Sequence, residues 1–210
     1  MTAHVQDVLS KGLASALVGT SYVAITPTPG TGVVGHAAPT TFDDEKPYIT
    51  LYNQSERVIL PTFLQLHNTV VSQGGARVQF TICVDEGNRR DSDGTAMTIS
   101  NTNMAGDNQP NIAQAYIGAI TASANTAAQR ILGNYVFRGT IDVVEDVYEL
   151  NFGGLGAGSQ TGSRVATVMD ASRTVVPIAV GPGQTLLVHQ WAGSQSTGPT
   201  FEAVFGFLVV

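Results

Sequence analysis

In VQFTICVD, residues 78–85, apolar Val78, Phe80, Ile82 and Val84 alternate with Gln79, Thr81, Cys83 and Asp85. A strand sends successive side chains to opposite faces, so a period of two fits a half-buried strand and no helix. Comparable stretches recur between turn signals at residues 48–53, 62–71, 96–100, 111–122, 134–152, 163–169, 174–180, 185–191 and 201–210. Many short strands without a long helical pattern predict an all-β chain, a jelly-roll or β-sandwich of about 8–10 antiparallel strands. SQGGAR at 72–77 and SDGT at 92–95 supply residues that accept the positive φ of hairpin turns, and GGLGAGSQTG at 153–162 reads as a loop.

The first part of the chain breaks this pattern. Val5, Val8, Leu9, Leu13, Ala16 and Leu17 recur at helical spacing, interrupted by Gly12, and predict a short amphipathic helix. SYVAI then gives way to TPTPGTGVVGHAAPTT, whose prolines and glycines suit neither a helix nor a central strand. Residues 1–41 therefore read as an N-terminal arm, and residues 42–210 as the β-sandwich domain.

The last strand, FEAVFGFLVV, differs from VQFTICVD because both of its faces are apolar after Glu202. Phe201, Ala203, Phe205, Phe207 and Val209 share one face; Val204, Gly206, Leu208 and Val210 share the other. A strand apolar on both sides is expected to be covered on both sides. One face would fill the core, and Val204, Leu208 and Val210 become candidate subunit or partner contacts. Trp191 joins them as a large aromatic beside a turn-rich segment.

Charged residues make up only 12% of the chain, about half the usual share, so amides and hydroxyls must keep its surface wet. Lysine occurs only at Lys11 and Lys46, and interfaces are similarly poor in lysine. A net charge of −6 without a basic stripe argues against a nucleic-acid partner. Arg89 and Arg90 are the densest basic spot, among Asp85, Glu86, Asp91 and Asp93, and read as a solvated loop. No stretch reaches the eighteen or so apolar residues of a membrane span, and the first residues lack the pattern of a signal peptide. Synthesis in a cytoplasm is the expectation. The single cysteine, Cys83, leaves no intrachain disulfide and reads as a small core residue.

Motifs that suggest chemistry fail on their context. Residues 30–35, GTGVVG, fit a dinucleotide fingerprint, but Pro27, Pro29 and Pro39 occupy the places where a strand should feed a helix. Aligning Gly94 with the glycine of a calcium loop puts Arg89 and Ser100 at ligand positions, so no EF-hand is present. His67 and His189 lie in strands and could meet in space; His4 and His36 lie elsewhere. Asp142, Glu145, Asp146 and Glu149 include same-face neighbours of the kind glycosidases pair, though exposed-face charges are commoner. Asn53-Gln54-Ser55 is a glycosylation sequon only for a secreted protein. No catalytic residue, metal site or cofactor is expected.

EKPYITLYNQSERVILPTFLQL at 45–66, CVDEGNRRDSDGTAMTISNTNM at 83–104 and the segment from Val180 to the last residue together resemble structural proteins of tailed-bacteriophage virions. The resemblance is to the jelly-roll type that decorates or cements the outside of the head. It implies a non-enzymatic subunit, a homotrimer that clamps neighbouring major capsid proteins on the capsid exterior. An alternative is a receptor- or glycan-binding jelly-roll module of a spike, fibre or tail, using Trp191 with Gln190, Ser194 and Gln195, since one fold serves both roles.

Overall fold

The computed structural model describes residues 15–37, 40–71, 78–103, 111–123, 129–138, 143–153, 163–165, 168–191 and 197–210, without the side chains of 138, 163–165 and 168–171. Ser15 to Leu17 form a helical turn; the rest of the amphipathic stretch at 5–14, the turn at 72–77 and all but the first residue of the loop at 153–162 lie outside the described residues. The strands are, in chain order, β1 (Ser21–Ile25), β2 (Val33–Val34), β3 (Ile49–Asn53), β4 (Ile59–Val70) and β5 (Val78–Asp85). Then come β6 (Arg90–Ala96), β7 (Thr98–Asn101), β8 (Ala113–Ala122), β9 (Arg130–Arg138) and β10 (Val147–Phe152). The last are β11 (Ser163–Val165), β12 (Val168–Val175), β13 (Thr185–Gln190) and β14 (Thr200–Val209).

They form a β-sandwich. The first sheet runs β11-β12-β10-β4-β14-β1-β7, with β2 paired to the start of β14, and the second runs β6-β8-β3-β13-β5-β9. Pairing is antiparallel except between β10 and β12, which are parallel. Among the described residues there are fourteen strands rather than the expected 8–10: β1, β2 and nearly all of β6 lie outside the predicted stretches, and the stretches at 134–152 and 163–169 each fall into two strands. The stretch at 134–152 becomes β9 in one sheet and β10 in the other. Regular pairing in the stretch at 174–180 ends at Val175 because Pro177 has no amide to donate. SDGT is no hairpin turn: Asp93 (φ 60°) and Gly94 (φ 72°) form a bulge inside β6 where it pairs with β8.

The largest correction concerns the arm. Ser21–Ile25 is a strand of the first sheet, held between β14 and β7, with Tyr22 and Ala24 turned into the core. Its five residues alternate as a strand should, but the proline- and glycine-rich run beside them masks the signal. β14 lies in the middle of the same sheet between β4 and β1; its inner face fills the core, whereas its outer face, expected to be covered too, is only half-buried within the chain.

Between the sheets, Phe80, Phe137, Tyr148 and Phe201 form an aromatic cluster with centroid separations of 5.4 to 6.5 Å. Edge and tilted geometries put ring edges on ring faces, the favourable arrangement for their quadrupoles. Tyr48 meets the cluster through Phe201 and donates its hydroxyl to the Val33 carbonyl at 2.6 Å. Complete burial holds the Tyr48 phenol protonated, with its pKa raised far above the ordinary value.

Candidate functional site

The inward row of β14, Phe201, Ala203, Phe205, Phe207 and Val209, is fully buried. The outward row carries Glu202, Val204, Gly206 and Leu208. Register aligns Val204 with Ile25 on β1 and Gln65 on β4, Gly206 with Val23 and Phe63, and Leu208 with Ser21 and Leu60. A Cβ at Gly206 would collide with the Phe63 ring, so that ring lies across the glycine and closes the sheet face. Val23, Ile25, Leu60, Phe63, Val204 and Leu208 thus form a half-buried apolar surface across three central strands. Val210 continues it at the margin, 53% exposed, with its backbone tied to Val58.

An acidic rim borders this surface. His67, outward on β4, places Nε2 2.9 Å from Glu145 Oε2 and Nδ1 3.6 Å from Glu202 Oε2. The Gly30 amide donates to the other Glu202 oxygen at 2.9 Å. The two carboxylates approach opposite nitrogens of one ring, so these three groups do not converge on one ion. Among the described residues no group of three or more His, Cys, Asp or Glu is placed to hold a metal.

The remaining sequence candidates fall apart in space. Trp191 follows β13 in the second sheet, away from Val204, Leu208 and Val210, and its indole N–H donates to Thr81 Oγ1 at 2.9 Å. Gln190 is buried on the strand face opposite Trp191, while Ser194 and Gln195 lie outside the described residues. His67 and His189 sit on different sheets and do not meet. Asp146 is buried and accepts the Tyr148 hydroxyl at 2.7 Å; Glu149 accepts from Asn151; Asp142 lies outside the described residues. Asn53 is fully buried, and its amide donates to the Arg57 and Val180 carbonyls, so it presents no acceptor nitrogen for a glycan. Gly30 and Gly35 flank β2, and no helix follows among the described residues.

Nor does Cys83 supply a nucleophile. Burial, and secondarily the charge of Asp44, push its thiol up to about 12, so the reactive thiolate is not formed near neutral pH. A cavity of about 250 Å³ opens beside Val84, Asp85, Glu86, Arg130, Ala179 and Gln184. Its one cation, Arg130, is already paired with Glu86 at 3.0 Å.

Two features escape a reading of the sequence. Arg89 is no solvated loop residue: it is 3% exposed, with Nε 3.0 Å from Asp85 and Nη2 3.8 Å from Asp44. Its neighbour Arg90 stacks over the Tyr116 ring at 3.7 Å. Likewise the polar face of β5, expected to be wet, is covered, with Thr81, Cys83 and Asp85 at most 4% exposed. No family model, curated protein or solved structure matches the chain.

Proposed function

We propose that this chain is a non-enzymatic virion structural subunit, a decoration or cement protein that stabilises a phage head by clamping neighbouring major capsid proteins. The observation that carries the reading is the half-buried apolar face of the first sheet, rimmed by Glu145, Glu149 and Glu202. A chain with little charge and no assembled catalytic group among its described residues suits contact rather than turnover. The virion-like segments at 45–66, 83–104 and 180–210 supply the direction. In this reading the chain is made in the host cytoplasm, assembles as a homotrimer and sits on the capsid exterior, without a nucleic-acid or membrane partner.

Leu208→Asp tests the contact face. Leu208 is only half-buried within the chain, so the fold should survive, but a carboxylate in an apolar interface costs desolvation without a partner. Light scattering on the size-exclusion peak should give a trimer for the native chain and a monomer for Leu208→Asp. An unchanged assembly in the variant, or a monomeric native chain, counts against the proposal.

A further inference from the structure

The covered face of the second sheet carries an inference that does not depend on the proposed function. Outward-facing Thr81, Cys83 and Asp85 of β5 and Leu187 and His189 of β13 are all nearly or wholly buried, yet they lie outside the core between the sheets. Residues 40–47 lie over the His189 and Cys83 part of this face, while Trp191 donates to Thr81 beside them. The Phe42 ring packs against the His189 ring with centroids 4.9 Å apart, and Asp44 lies 3.8 Å from Arg89. The Glu45 carbonyl accepts the Ala122 amide at 2.9 Å. At the other end of this segment, His36 Nε2 donates to the Ile120 carbonyl at 2.9 Å.

We propose that residues 40–47 are an acid-released strap, closed over the second sheet while His189 and His36 are neutral and opened when they take up protons. The Gln129 side-chain amide lies 3.0 Å from Nε2; with its nitrogen turned to the ring it donates, Nε2 accepts and the neutral ring carries its proton on Nδ1. A second proton on Nε2 would face that donor. Nδ1 is buried and makes no well-aligned hydrogen bond, although backbone groups of Asp43 and Lys46 on the strap lie near enough to the ring to favour its charged form, an effect that burial outweighs.

Asp43 favours a charge on both rings, but burial outweighs it, and Lys46 opposes a charge on His36. The strap brings Asp43, Asp44 and Lys46; β5 brings Cys83 and Asp85; the loop after it brings Arg89; each histidine also faces the other. Asp43 is paired with Lys46 at 2.8 Å, and Asp44 and Asp85 both face Arg89. The carboxylates are therefore already engaged, and the two histidines repel each other once charged.

Burial, the largest cause, lowers the His189 pKa to about 4 from 6.5, and burial lowers that of His36 as well. An open strap exposes ordinary imidazoles, so the open state binds protons that the closed state refuses. Closure is thus at full strength above about pH 6.5 and weakens as pH falls toward 4. From His189 alone, linkage makes opening about 30-fold more favourable at pH 5 than at pH 8.

Cys83, the single cysteine and wholly buried on this face, reports opening. Labelling with 4,4′-dithiodipyridine, normalised to a free thiol at each pH, should rise about 30-fold between pH 8 and pH 5 by the same linkage. His189→Leu should remove most of that rise, whereas Asp44→Asn should raise the baseline and keep it. A flat native profile overturns the proposal, as does a rise unchanged in His189→Leu or lost in Asp44→Asn. Hydrogen exchange on the unsubstituted chain repeats the test without a variant. At pH 5, residues 40–47 should lose protection while β5 and β13 keep theirs; a joint loss means global unfolding and overturns it too.

Discussion

Phe201→Ala should lower the folding free energy by about 3–5 kcal/mol, the range for truncating a buried aromatic whose cavity cannot collapse. Phe201 is fully buried at the start of the central strand β14 and touches aromatic rings from three other strands or their approaches. Its centroid lies 5.7 Å from Tyr48 and 5.9 Å from both Phe80 and Tyr148. Those rings come from both sheets, so none can move into the vacancy without parting the sandwich. The backbone also resists collapse, because the Phe201 amide donates to the Tyr48 hydroxyl, which itself donates to Val33. Urea unfolding should show a lower midpoint at unchanged slope, the mark of lost stability rather than an altered unfolded state. A cost below about 1 kcal/mol would contradict this assignment of the core.

Arg89→Leu should be comparably damaging, about 3–5 kcal/mol, for the opposite physical reason. The side chain removed is charged, and the harm comes from what remains. Asp85 is 3% exposed, with Nε of Arg89 3.0 Å away, and its other oxygen accepts the Gly87 amide. Without the guanidinium that carboxylate stays buried with no opposite charge in contact. Replacing both members of such a pair by apolar groups is far milder. Accordingly Arg89→Leu with Asp85→Leu should unfold at a higher urea concentration than Arg89→Leu alone. If the double variant is the less stable, the ion pair is not what holds this loop.

These two sites mark what the sequence disclosed and what it withheld. The strand of Phe201 was legible from its length and its β-forming apolar residues, although apolar residues on both faces do not by themselves place a strand in the middle of a sheet. VQFTICVD was equally legible as a strand, and β5 has the same limits, 78–85. What local pattern could not reveal was the cover on its polar face. Gln79, Thr81, Cys83 and Asp85 look the same in sequence whether water or residues 40–47 lie above them. The burial of Arg89 follows from that cover, since a loop arginine becomes interior only when a distant segment closes over it.

The strand Ser21–Ile25 was hidden differently, by the prolines and glycines that follow it. Of the candidate contacts, Val204, Leu208 and Val210 share one sheet face because they alternate along one strand. Trp191 was singled out as a large aromatic, not by its place in that strand, and the fold puts it after β13 in the second sheet.

If the chain acts, as proposed, by contact on the outside of a phage head, purified virions will carry it. Mass spectrometry and cryo-EM of those particles should find the chain on the capsid exterior in fixed stoichiometry, with the outer face of β14 turned toward a neighbouring subunit. Particles that contain no copy of it overturn the proposed function.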